Sequence, residues 1–242
     1  KLKYIHINII AAIAVILVSC RPEIDHSAPS SGNADFSKYI AIGNSLTAGF
    51  ADGGLYLEGQ QNAYPLLIAQ QMKQVGGGEF ASPFFSEAQA NGSGYIRLAA
   101  LDANGRPVTA PVTDKLAYRN QQGTLLTKYT DEVNNLGVPG MSVRFSQAEV
   151  MSSTSGNMYL ERLVADADAG NLSYLEFTQN RNHTFFTFWL GNIDALNFAT
   201  SGGVPGVDPT KQLTPLNEFT GLYTAFINSL TSNGAKGAVA TI

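Results

Sequence analysis

The sequence is poor in the side chains that most often carry chemistry. Its 242 residues include one cysteine, Cys20, and three histidines, His6, His26 and His183. A single cysteine excludes a disulfide framework and any metal site built from several thiolates. Three histidines leave little for metal ligation or general-base catalysis. Charge is scarce too: 14% of residues are charged, against ~25% in ordinary globular chains. The hydrophobic share is 44%, which excludes a disordered, charge-rich chain and predicts a sizeable core. Fifteen basic against nineteen acidic side chains give a net charge of −4. Nothing in that balance would neutralise a phosphate backbone, which argues against nucleic acid as a partner.

Long apolar runs are also missing. Lys1 and Lys3 precede a mostly apolar stretch from Ile5 to Val18, interrupted by His6 and Asn8. As a helix it would span about 21 Å, short of the ~30 Å hydrocarbon core of a bilayer. A basic start, a short apolar run and then small residues form the pattern of an export signal. The run ends Leu17-Val18-Ser19-Cys20, which resembles the lipobox of bacterial lipoproteins. That resemblance implies removal of residues 1–19, a lipid on Cys20, and export to the bacterial cell envelope with a membrane anchor. Residues 20–35, with Pro, Ser, Gly and charges but no periodicity, read as a flexible tether in which His26 is a solvated side chain.

The remainder, 36–242, reads as one α/β domain. Tyr39–Gly43 is a short apolar run closed by glycine, suiting a buried strand. A helix is predicted over Ala63–Val75, with Pro65 in its first turn and Gly76-Gly77-Gly78 ending it. Residues 76–131 differ in composition, rich in Gly, Asn, Ser and Thr, and read as a β-rich insertion. Within them Asn104-Gly105 lies between Tyr95–Leu101 and Pro107–Val112, a hairpin signal. Beyond the insertion a strand is predicted at Val133–Val138 and helices at Val143–Met151 and Met158–Ala167. Thr184–Leu190 reads as a central strand, followed by helices at Asp194–Ala199 and near Leu216–Leu230. The last predicted strand, Gly237–Ile242, is a core strand with no closing turn, and on this reading the C-terminal part of the domain is missing. The alternation predicts an α/β fold with a parallel sheet flanked by helices.

The strongest chemical signal is Ile40-Ala-Ile-Gly43-Asn44-Ser45-Leu46-Thr47. A strand delivers Ser45 to its carboxyl end, where ligands gather in open α/β sheets. A serine in a tight strand-to-helix turn can offer its hydroxyl outward and its N–H to a developing oxyanion. The plain alternative is a serine that caps a helix. The segment resembles block I of the SGNH (GDSL) hydrolases, Gly-Asp-Ser-Leu-Ser/Thr, with Asn44 in place of Asp. Asn135-Leu-Gly-Val-Pro-Gly140 is similar to block II, and the resemblance implies that the Gly140 N–H is a second oxyanion donor. Trp189-Leu-Gly191-Asn192-Ile193-Asp194 is similar to block III, Gly-x-Asn-Asp. There Ile193 occupies the position of the family's oxyanion asparagine, and isoleucine has no side-chain donor. Either Asn192, one residue earlier, turns in as the replacement, which is the reading preferred, or the site is weak or differently built. Asp194 matches the block's acid, which in the family is chiefly structural; it would serve equally as a helix N-cap.

The family's Asp-x-x-His, which supplies the general base and its orienting acid, is found nowhere in the sequence. His183 begins the strand that ends near Gly191 and so is expected about 25 Å from the catalytic rim. The resemblance therefore implies a flavodoxin-like parallel sheet, the SGNH hydrolase fold, and an ester hydrolase with Ser45 as nucleophile and a base outside these residues, inactive without it. No metal or nucleotide cofactor is implied, and the substrates range over lipids, short acyl esters and acetylated glycans. The alternatives are a non-catalytic surface lipoprotein of the same fold, binding a glycan or protein partner, and a structural envelope protein in which Ser45 is a cap.

Overall fold

The structure is a computed structural model that describes residues 28–147, 156–179 and 181–241. The expected export signal, His6, Cys20 and His26 lie outside the described residues. In chain order the first elements are β1 (Tyr39–Gly43), α1 (Ser45–Ala48), α2 (Leu57–Gln61), α3 (Tyr64–Met72), β2 (Tyr95–Leu101) and β3 (Pro107–Val112). There follow α4 (Met158–Glu161), α5 (Tyr174–Gln179), β4 (Phe185–Trp189), α6 (Asn192–Thr200), α7 (Leu216–Thr231) and β5 (Lys236–Val239).

β1 and β4 are short runs of apolar residues, the pattern of strands covered on both faces. They pair in parallel from Tyr39 opposite Phe185 to Gly43 opposite Trp189. β5 pairs in parallel with the other side of β4, so β4 is central in the order β1-β4-β5. Side chains alternate across the sheet. Ile40, Ile42, Phe186 and Phe188 enter a core with Tyr174 and Phe177 of α5 and Phe226 and Leu230 of α7. Tyr39 and Ala41 face the opposite way, onto Ile68, Ala69 and Met72 of α3. The fold is α/β, a three-stranded parallel sheet flanked by helices, which is compatible with a flavodoxin-like core.

Three expectations are corrected. Val133–Val138 is not a regular strand. It makes a single bridge, Asn135 to Ala41, because the Asn135 carboxamide accepts the Gly137 N–H and Pro139 follows. The helix expected over Val143–Met151 is a 3-10 turn at Arg144–Gln147; residues 148–151 lie outside the described residues. The helix expected over Met158–Ala167 stops at Glu161, where Lys128 Nζ captures the carbonyls of Glu161 and Val164 at 2.8 and 2.9 Å. The strand expected over Gly237–Ile242 is observed as β5, the outer strand of the described sheet.

The inserted region 76–131 carries the antiparallel β2–β3 hairpin, with an irregularity between Leu98 and Ala100. Its inner side forms a second apolar cluster in which Phe85, Ala117 and Leu126 meet Ala48, Leu55 and Leu57. Two side chains from the end of α4 fasten it. Arg162 is buried, donates to the carbonyls of Pro83 and Thr127 and lies 4.3 Å over the Phe85 ring; burial lowers its pKa to about 10. Glu161 is buried and binds Arg119 and Lys128 of the insertion.

Candidate active site

The site begins where β1 stops. A Cβ on Gly43 would come 2.0 Å from Thr47 Oγ1 and 2.9 Å from the Trp189 carbonyl, so the chain can turn this tightly only without a side chain. The fully buried Tyr174 fixes the turn from below. Its hydroxyl accepts the Gly43 N–H at 3.1 Å and donates to the Leu136 carbonyl at 2.7 Å. Burial pushes that phenol far above its ordinary pKa, so it remains a neutral donor. Asn44 then caps α1, its Oδ1 accepting the Leu46 N–H at 3.3 Å.

Ser45 is the first residue of α1 and is partly exposed. Its carbonyl accepts from Gly49 and Phe50, while its hydroxyl has no protein partner among the described residues. Asn44, rather than Ser45, is the cap. Beneath the serine, Thr47 is fully buried and shares a 3.0 Å hydrogen bond with the Tyr64 hydroxyl. Burial raises the Tyr64 pKa, partly offset by hydrogen bonds to Thr47 and Thr187.

The segment 134–138 runs along the free side of β1. Ala41 N–H donates to Asn134, Leu136 N–H to Ala41, and Val138 N–H to Gly43, at 2.8–3.0 Å. Asn135 Nδ2 reaches across to the Thr47 carbonyl at 2.9 Å, and a Cβ on Gly137 would fall 2.3 Å from the Ala48 nitrogen. Ser45 and Gly140 each lie two residues beyond the bonded pair Gly43 and Val138, at one rim of the sheet. Gly140 is exposed with φ +79°, a conformation that favours glycine, and its N–H has no protein partner among the described residues. Asn157 holds this loop by donating to the Pro139 carbonyl at 2.7 Å.

Asn192 arrives at the same rim from β4, as the first residue of α6 after Gly191 at φ +110°. Its Oδ1 accepts from Asn44 Nδ2. The two amides are oriented by one constraint: Leu46 N–H claims Asn44 Oδ1, so Asn44 Nδ2 faces Asn192, which must answer with its oxygen. The amide nitrogen of Asn192 is left as an unengaged donor. Ile193 is buried.

Asp194 is buried and accepts from Val143 N–H at 2.7 Å, Arg144 N–H at 3.0 Å and Thr214 Oγ1 at 2.9 Å. It therefore caps the 3-10 turn after the Gly140 loop, not its own helix. His183 is buried at the opposite edge, with both ring nitrogens 2.9 Å from backbone carbonyls, those of Arg181 and Leu230. It lies before the start of β4, whereas Ser45 follows the end of β1. The strand length between them is about 20 Å. Among the described residues no group of three His, Cys, Asp or Glu side chains forms a metal site.

Sequence reasoning missed Tyr174, Asn157 and the pairing role of Asn44. Asn157 had a signal, an asparagine directly before a helix. Tyr174 had none, because its partners are backbone groups distant in sequence.

No family model, curated protein or solved structure matches the chain.

Proposed function

We propose that the protein is an exported, lipid-anchored ester hydrolase of the SGNH type, with Ser45 as nucleophile. The observation that carries the reading is the Asn44–Asn192 hydrogen bond, which leaves an amide donor beside a serine whose hydroxyl is unengaged. The Ser45 oxygen bonds to the acyl carbon while the carbonyl electron pair moves onto oxygen. The N–H groups of Ser45 and Gly140 and the Asn192 amide then hold that oxyanion. One such donor contributes about 10²–10³ in turnover. Collapse of the intermediate expels the alcohol, which takes the proton removed from Ser45, and water releases the acid by the same steps in reverse. The general base that moves those protons lies outside the described residues, since none of them contacts the Ser45 hydroxyl. Export and anchoring rest on Lys1, Lys3, the apolar run and Cys20.

A second reading, a non-catalytic lipoprotein of the same fold that binds a glycan or a protein partner, is favoured by the lack of a base at Ser45 among the described residues. Hydrolysis of a chromogenic acyl ester separates the two. The hydrolase reading predicts turnover that disappears in Ser45→Ala with unchanged thermal melting. Turnover surviving in that variant, or none in the natural protein, favours the binder.

A further inference from the structure

An open cleft of about 710 Å³ is lined by Leu46, the residue that follows Ser45. Leu46, next to Ser45, and Trp189, opposite Gly43 in the sheet, form its inner end. Ile96 and Leu98 of the inserted hairpin form its far wall. That wall is fixed: the Ile96 N–H donates to the Asp52 carbonyl at 2.8 Å, and the Tyr95 ring stacks on Tyr56 at 4.1 Å.

The cleft's polar groups are largely occupied. Asp52 accepts from the Tyr56 hydroxyl and Asn62 donates to the Glu58 carbonyl; the Tyr64 hydroxyl is engaged by Thr47. Glu58 and Arg97 are solvent-exposed. The aromatic faces are occupied as well, Tyr56 by Tyr95 and Tyr64 by Trp189 at 5.5 Å, so few remain to stack on a sugar. What stays unpartnered is aliphatic. Leu46, Ile96 and Leu98 are 45%, 50% and 63% exposed, and none joins a core cluster. Aliphatic surface left in water beside a reacting centre gains most by covering a hydrocarbon chain.

We infer that this cleft is an acyl-chain subsite, with the inserted hairpin as its specificity wall, so that the ester carries an aliphatic chain rather than an acetyl group. The chemistry rests on the hydrolase reading; the binding does not. Trp189 is the sole tryptophan of the chain, so its emission reports occupancy directly. The test titrates full-chain Ser45→Ala protein with laurate, with acetate and a malto-oligosaccharide as comparisons.

Laurate is expected to give a saturable blue shift and the other two none. In an added Ile96→Ser/Leu98→Ser pair, laurate binding should weaken at least about tenfold. Both positions are exposed, and an unchanged circular dichroism spectrum checks that the fold persists. No saturable shift with laurate, equal affinity in the pair, or a response to the oligosaccharide alone would overturn the inference. Laurate binding without covalent labelling of Ser45 by a fluorophosphonate would keep the subsite and remove the hydrolase. Labelling without binding would do the reverse.

Discussion

At the scale of single residues, Asn44 is the side chain that orients the site, bonding both the Leu46 N–H and Asn192. An aspartate at position 44 would still accept the Leu46 N–H, but it has no hydrogen for Asn192 Oδ1. Asn192 would then turn its amide nitrogen to the carboxylate and present an oxygen outward, repelling the oxyanion it is proposed to hold. Asn44→Asp should therefore lower ester turnover by about 10²–10³, while the melting temperature changes little because the cap is kept. Unchanged turnover in Asn44→Asp would remove Asn192 from the oxyanion site. Asn44 and Asn192 thus act as a matched pair.

At the scale of elements, the termini decide what can be read from sequence. α5 was not anticipated, although Ser173 and Glu176 give the S-x-x-E spacing of a capping box. Ser173 N–H and Oγ both donate to Glu176 Oε2, and the Glu176 N–H donates to Ser173 Oγ. These bonds hold the Glu176 carboxyl below its ordinary value of 4.5. A depressed carboxyl pKa in the folded state stabilises above the unfolded value and loses that effect as pH falls through the folded value. Glu176→Ala should thus lower the melting temperature at neutral pH, with the gap to the natural protein closing below pH 4.5. A gap independent of pH would show that the carboxylate contributes no charge-dependent cap.

β1, α3, β2–β3, β4 and α7 were legible, because apolar runs, a glycine stop or an Asn-Gly turn mark each of them. The segment 133–138 and the short α4 were not. Their limits are set by Asn135 bonding its own backbone and by Lys128 taking carbonyls from α4. In the candidate site, Ser45 and the Gly140 turn were visible as motifs. The Tyr174 clamp beneath them depends on contacts across 131 and 38 residues of chain, which local pattern does not encode.

At the scale of the whole molecule, a parallel sheet brings three chain segments to one rim, and the insertion shapes the approach to it. The buried Glu161, tied to Arg119 and Lys128, and the buried Arg162, tied to Pro83 and Thr127, join the insertion to the segment after the Gly140 loop. The insertion and the Gly140 loop are thus held by the two ends of one short helix, the insertion by Glu161 and Arg162 and the loop by Asn157. Buried charges of this kind are costly to leave unpaired, which fixes the geometry of the insertion rather than adding greatly to stability.

The central claim is that the Ser45 hydroxyl, at the rim shared with Gly140 and Asn192, acts as a nucleophile, which covalent labelling tests most directly. Exposing the full-length protein to a fluorophosphonate and mapping the adduct by peptide mass spectrometry should place the phosphonyl group on Ser45 alone. Asn44→Asp should slow that labelling, and Ser45→Ala should abolish it. An unmodified Ser45 in full-length protein, or labelling that persists in Ser45→Ala, would contradict the account.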